Sequence, residues 1–526
     1  MRLAGIVIVL TLLATLFSGA SFGADSTAPF RFRLTADPST LDWNLARTSH
    51  ETYVIMNAME GLVEVGRDLK PQPALSERWE VSSDGLTYTF YIRPGVKWSD
   101  GRPLKASDFE DSWLRLLNPK THSSYASFLF DLENAEAFHA GRVKDPASVG
   151  VRAIGESKLQ IKLRHTVPYF IFLPSFWVTF PIRSDLIRKY GKDWATPGKL
   201  ATLGPYLIKD WKRGRSIELE RNPGYHGEPP AVAAVEAVIE PSDAKARALF
   251  ESGKLDILLD ARTDDLVRFR AQAETGQVRV AQFPYLATYY LGFNVEAGPL
   301  KDRSVRRALA LAVDREAIPA VLQGGQSAAT GWIPPGIEGH RDGPTRLDGT
   351  LYDARGLLTR AGFPEGARFP KLTFWIEKFD GAEAVGDFIG RSLHDKLGIE
   401  VERHVGSSSE FQKALAAGKE SFFLGHWGAD FPDPANFLEV FRTGSGTNYT
   451  RWSDTGFDGR LSAAGNTLDP AARLAAFAEA EDILVSRESV IVPLFYKRNT
   501  ALVGPRLRDF EISPLNYLFL KAVRLR

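Results

Sequence analysis

Across 526 residues the chain contains no cysteine, and it opens with Met1-Arg2 followed by an almost wholly apolar stretch from Leu3 to Phe17. Together these two features constrain the fold more than anything else in the sequence. One positive charge, a short apolar core and the small residues from Ser18 to Ala24 make a secretory signal, with cleavage expected between Ala20 and Ala24. The mature chain is then expected free in an exported compartment, most simply a bacterial periplasm. Without cysteine it has no disulfide, no thiolate nucleophile, no cysteine-based metal site and no lipid-carrying cysteine as a tether.

Composition allows this. A hydrophobic fraction of 44% with 25% charged residues suits a large soluble core, and the length calls for more than one domain. The formal net charge of +1, with no local run of Lys and Arg, argues against nucleic acid or an anionic membrane as partner. The histidines are scattered without ligand spacing, so no metal is expected. There is no glycine-rich phosphate loop, no strand-bound GxGxxG and no GxSxG elbow, so neither a cofactor nor a nucleophilic enzyme is indicated.

Along the chain, strand and helix signals alternate. Phe30–Leu34 reads as the first strand and Glu51–Glu60 as a helix, and Asp84-Gly85 joins a hairpin that ends in Tyr88–Ile92. After Trp98-Ser99-Asp100-Gly101, Ser107 with Glu110 reads as a capping box for a helix with Phe109, Trp113, Leu116 and Leu117 on its buried face. Pro168–Pro181 is crowded with aromatic residues and is expected in a core. Strands are expected over Thr288–Asn294, Leu372–Trp375 and Val490–Tyr496, and a helix starts at Asp469-Pro470.

The richest stretch is Gly425 to Phe437. Phe422-Phe423-Leu424 reads as the end of a buried strand, and beyond Trp427 the chain turns small, acidic and proline-broken. Asp430 is thereby placed on rigid backbone beside aromatic surface, which suits a cationic ligand group. Asp430 with Asp433 is also a carboxylate pair of the kind a hydrolase uses, and Asp430 as a mere loop cap, accepting from the Asp433 N–H, is the plain structural alternative.

At the Trp98 motif and the Trp427–Phe437 loop, the chain resembles the family 5 solute-binding proteins, the extracytoplasmic peptide receptors of ABC importers. The likeness continues through Pro168-Tyr169-Phe170, Trp194–Gly198, Tyr206–Trp211, Glu220–Pro223 and Asp302–Asp314. It implies an α/β fold like a type II periplasmic binding protein: two ligand-clasping lobes joined by a hinge, plus an inserted third domain. The implied lobes are 25–59, 179–284 and 500–526 for the first, 60–178 for the insertion and 285–499 for the third. It implies a monomer that is not an enzyme and passes peptides to an inner-membrane permease. The alternatives are a hydrolase using Asp430 and Asp433, or a sensor or chaperone reusing the fold. The resemblance places peptide backbone against Arg47-Thr48-Ser49 and His426-Trp427-Gly428, and the ligand's amino group against Asp430. The sequence departs from the family where Leu424 and Leu415 replace two arginines, the first of which meets a ligand carboxylate, and where His426 replaces a glycine.

Overall fold

The computed structural model describes residues 28–526 apart from 260, 344–346 and 348, so the signal segment expected from the sequence lies outside the described residues. Its organising feature is a pair of long antiparallel strands, Arg279–Phe293 and Ile491–Val503, that run through the middle of one eleven-stranded sheet. To one side lie Phe422–Gly428, Leu372–Glu377 and Val401–Gly406; to the other lie Ile257–Leu258, Phe30–Leu34, Ala234–Ile239, Ser216–Arg221 and Tyr206–Lys212. Ser327–Ala328 pairs off the path with the second long strand.

Both long strands exceed what the sequence suggests. Pairing runs from Arg279 to Pro284 against Arg498 to Val503, then resumes at Thr288 opposite Tyr496. Tyr285, Leu286 and Ala287 thus face Lys497 alone, a bulge that bends the strand and increases its local twist. The first half of Arg279–Phe293 is exposed or half-buried and the second half fully buried. The two halves serve different surroundings.

Two large cores flank this bulge. One gathers Phe30, Phe32 and Ile217 with the whole of a second, four-stranded antiparallel sheet (Ser76–Val81, Thr87–Ile92, Lys158–Lys162, Val151–Ile154) and the helix Ala106–Leu117 that covers it. The other is built from Leu291, Phe374, Ile389, Phe422 and Leu484. This is the expected α/β arrangement, two lobes sharing long strands with an inserted unit. The insertion shares the core of the first lobe rather than standing apart. Its tryptophans show why: Trp113 donates to the Thr179 carbonyl at 2.8 Å and Trp177 to the Ala46 carbonyl at 3.1 Å, while Arg115 of the insertion pairs with Asp42 at 2.6 Å. Each buried ring N–H finds an acceptor across the junction, as a buried donor must. The Pro168–Pro181 run lies mainly in this core, with Phe170, Leu173, Val178 and Phe180 buried.

The capping box at the Trp98 motif is corrected. The helix begins at Ala106, and it is Asp108, not Glu110, whose carboxylate accepts the Lys105 N–H at 3.1 Å. The same carboxylate takes the Trp98 ring N–H at 3.0 Å, whereas Glu110 reaches across to the Ala153 N–H at 3.0 Å. Tertiary partners have moved the box by two residues, from Ser107 and Glu110 to Lys105 and Asp108. No helix among the described residues is long and apolar enough to cross a membrane.

Candidate functional site

The strand Phe422–Gly428 pairs along its whole length with Arg279–Phe293, from Phe422 opposite Phe293 to Gly428 opposite Ala287. On its other edge, pairing with Leu372–Glu377 covers only Phe422, Phe423 and Leu424. From Gly425 to Gly428 that edge therefore carries no strand, and backbone N–H and C=O groups alternate along it. An unpaired strand edge beside a cleft is a template for an added strand. Gly428 must stay small, because a Cβ there would lie 2.6 Å from the Tyr285 hydroxyl oxygen.

Past Gly428 the loop is braced by a residue that sequence reasoning passed over. Asn436 Oδ1 accepts the Trp427 ring N–H and the Asp430 backbone N–H, both at 3.1 Å. One side chain thus fixes the tryptophan and the carboxylate together. Asn436 sits in the short helix Pro434–Leu438, capped by Asp433, whose Oδ1 accepts the Ala435 N–H at 2.9 Å. Asp433 also pairs with Arg473 at 2.6 Å, both residues buried. This carboxylate serves the fold, with the Ala435 N–H and Arg473 both on its Oδ1, and is no partner for acid–base work with Asp430. Nor does Asp430 cap the loop as the plain alternative supposed, since the Asp433 N–H goes to the Phe431 carbonyl at 2.9 Å.

Asp430 itself lines a narrow cavity with Met56, Met59, Phe176, Leu515 and Tyr517. Burial in this apolar wall pushes its carboxyl up to about 6, against a smaller lowering by a hydrogen bond from Asn436. Among the described residues no cation forms an ion pair with it. Next to it, Phe431 stacks on Tyr169 at 4.8 Å between ring centroids and joins the core of the opposite lobe. The lobes meet at this loop.

Arg47-Thr48-Ser49 lies at the start of the helix Ser49–Ala58, all three residues exposed. Asp430, Arg47 and Glu51 all act on the Tyr125 hydroxyl, which burial first of all pushes up to about 12, so the segment lies near the same cleft. Its backbone, however, is largely used. The buried Glu51 carboxylate accepts the Arg47 N–H at 2.5 Å and the Thr48 N–H at 2.8 Å, and the Thr48 carbonyl accepts from Glu51 and Thr52. Burial works to raise the Glu51 carboxyl, but the hydrogen bonds from Ser39, Arg47 and Thr48 outweigh it and hold it below its ordinary range.

His426 is exposed, stacks on Tyr289 at 4.9 Å and places Nδ1 3.2 Å from Glu377. Burial tends to raise the Glu377 carboxyl, yet the hydrogen bond and charge of His426 hold it below the usual range. Glu377 ends its strand and gave no signal in the sequence. No group of His, Asp or Glu among the described residues has the arrangement of a metal site.

With this geometry in hand, the comparisons with known proteins are consistent with one another. The model for bacterial extracellular solute-binding proteins, family 5, matches residues 70–449. The chain is 30% identical to the periplasmic oligopeptide-binding protein OppA of Escherichia coli K12, covering 86% of this chain and 84% of that one. It is 27% identical to the probable deoxycholate-binding periplasmic protein YgiS of the same organism, over 94% of this chain and 93% of that one. Among solved structures, the Escherichia coli murein tripeptide binding protein MppA superimposes with a TM-score of 0.79 at 26% identity, over 95% of this chain and 98% of that one. Haemophilus influenzae OppA in complex with RPPGFSPFR gives 0.77 at 25%, over 94% and 98%.

Proposed function

The chain belongs to the family 5 bacterial extracellular solute-binding proteins, and from that premise we propose that it captures peptides by their amino end and delivers them to an ABC import permease. The observation that carries this is Asp430: a carboxylate on a braced loop, packed in apolar surface, without a cation of its own. A ligand ammonium supplies the missing charge, and in a water-poor cleft the charge-assisted hydrogen bond fixes the ligand's position. The open edge at His426-Trp427-Gly428 then pairs with the first residues of the peptide backbone, whatever their side chains. Arg47-Thr48-Ser49 forms the facing wall and contributes through the exposed Arg47 and Ser49 side chains more than through N–H groups already given to Glu51.

The protein alters nothing chemically. It closes, traps and presents. We assign the lobes to 25–59, 179–284 and 500–526, to 60–178, and to 285–499; the bulge at Tyr285–Ala287 supports the boundary there. We place the mature protein in the periplasm as a monomer, after removal of the signal segment.

Calorimetry with tri-alanine and N-acetyl-tri-alanine tests the reading. The free amine is expected to bind and the acetylated form to bind at least tenfold more weakly, since a charged hydrogen bond is worth roughly 1.5–3 kcal/mol. Equal affinity for both would remove Asp430 from the site. Deoxycholate, an acid without an amine, would set a like charge beside Asp430 and is expected to bind more weakly than tri-alanine.

A further inference from the structure

Asp430 and the residue after it are held from opposite sides. The Asp430 backbone N–H goes to Asn436 of its own lobe. The Phe431 ring is buried, stacks on Tyr169 with centroids 4.8 Å and planes 13° apart, and meets the Phe128 ring edge-on at 6.3 Å. Both partners belong to the inserted unit: Tyr169 follows its strand Lys158–Lys162, and Phe128 follows its helix Ala106–Leu117. Phe128 in turn stacks on Phe176 at 4.4 Å, and Phe176 lines the cavity of Asp430. The seat of Phe431 and the wall around Asp430 are thus one aromatic surface.

Charged groups at the same seam pair without crossing it. A cavity of about 470 Å³ beside Tyr169 is lined by Asp131, Arg164 and His165 from the inserted unit and by Glu439 and Arg442 from the facing lobe. Arg164 pairs with Glu136 at 3.0 Å and His165 lies 3.4 Å from Asp131, while Arg442 donates to Glu439 at 2.8 Å. Each of these pairs lies within one lobe. The contacts that cross are apolar: Phe431 in its seat, and Leu468, 54% exposed, with a methyl 3.1 Å from where a Gly85 Cβ would stand in the turn of the inserted hairpin. Such contacts part without leaving a charge unpaired, which suits a seam that opens and closes.

We propose that Tyr169 and Phe128 are positioning residues for ligand capture: by seating Phe431 they fix the Asp430 carboxylate where it meets a ligand ammonium. This rests on the reading of Asp430 as the amino-end anchor. The inserted unit, which holds none of the residues assigned to the ligand, thereby takes part in binding. Consecutive Cα atoms lie about 3.8 Å apart, so a shift of Phe431 carries the Asp430 backbone with it, whereas a binding group must be held to within about 0.5 Å. Asn436 holds the amide of Asp430 and the aromatic seat holds the residue after it. The seat exists only while the inserted unit and the facing lobe are together, so the anchor is complete in the closed form and loosens as the lobes part.

Titration calorimetry and stopped-flow dissociation of the full mature chain with tri-alanine and N-acetyl-tri-alanine test the proposal in Tyr169→Phe, Tyr169→Leu and Phe431→Leu. Tyr169→Phe keeps the stacked ring and is expected to bind tri-alanine within about twofold of wild type. Tyr169→Leu and Phe431→Leu should weaken tri-alanine about tenfold, mostly through faster dissociation, and leave the acetylated peptide within about twofold. The preference for the free amine then shrinks with the affinity, which a loss of stability alone would not produce. Should Tyr169→Leu fail to fold, Phe128→Leu alters the same seat from its other side and is expected to act in the same direction. A preference kept at its wild-type size in the leucine variants overturns the proposal, as does a loss in Tyr169→Phe equal to that in Tyr169→Leu; either result leaves the amino-end reading standing. A wild type that binds both peptides equally, or neither, removes that reading and this proposal together.

Discussion

Asp433 accepts from Arg473 at 2.6 Å and from the Ala435 N–H at 2.9 Å, whereas Asp430, three positions earlier in the same loop, lies against aromatic and aliphatic side chains without a cation. The two have the same chemistry and nearly the same address. What separates them is whether the protein itself supplies the counter-charge. A buried carboxylate that is paired and hydrogen-bonded belongs to the fold, because its desolvation is offset at home. One that is desolvated and left without a cation costs stability, and such a group persists where something from outside completes it. On the proposed reading the loop holds a structural acid and a ligand-binding acid side by side, and four substitutions or conditions sharpen the contrast.

The largest effect is expected from the structural member. Asp433→Ala leaves Arg473 buried without its partner and strips the helix Pro434–Leu438 of its cap. Loss of one partner from a buried pair costs about 3–5 kcal/mol. Urea denaturation should show a loss of this size; a change under 1 kcal/mol would mean that the pair is solvated and the contrast false. Asp430→Asn should act in the opposite sense on the fold. The amide removes a disfavoured charge, so the unliganded protein is expected to gain about 1 kcal/mol of stability, while affinity for tri-alanine falls by about 2–3 kcal/mol. A variant that binds as well as wild type would make Asp430 another structural acid. Asn436→Ala comes next. It frees the Trp427 ring N–H and the Asp430 N–H at once, and leaving such donors unmet costs roughly 1–3 kcal/mol. Both stability and affinity should drop, because the brace serves fold and site together.

The loop was legible in the sequence because its signals are local. Phe422-Phe423-Leu424 announces a buried strand end, and the two prolines, Pro432 and Pro434, forbid its continuation. That one of its two acids is spoken for was not legible, since Arg473 is forty positions away in sequence and joins only through packing. Asn436 escaped notice for a related reason: inside a helix opened by Asp433-Pro434 it reads as an ordinary first-turn residue, and its bonds to Trp427 and Asp430 depend on how the loop folds back. The long strands were recovered only in part. Thr288–Asn294 is apolar enough to read as buried strand, but Arg279–Pro284 alternates at the surface and carries a proline, so pairing with Arg498–Val503 is what makes it a strand. The capping box failed because Ser107 and Glu110 fit a local pattern while the Trp98 ring N–H selects Asp108 instead.

The smallest effect tests the electrical half of the comparison. Burial pushes the Asp430 carboxyl up to about 6. A folded-state value above that of the unfolded chain means that the ionised form is disfavoured in the empty protein, so this group contributes stability at low pH that is lost as pH rises through about 6. Binding of an ammonium needs the ionised form, and therefore runs the other way. Between pH 7 and pH 5 the ionised fraction falls by about tenfold, and the affinity for tri-alanine should fall by the same factor, ~1.4 kcal/mol. Three neighbours hold one charge state across this window: Tyr125 and Tyr517 are held above the ordinary tyrosine range, chiefly by burial, and stay neutral, while the hydrogen bonds to Glu51 keep it ionised. Asp430→Asn should abolish the dependence. A wild-type affinity flat across this range would mean that the carboxylate bound in the cleft already carries its charge, and that the two acids of the loop differ less than their surroundings imply.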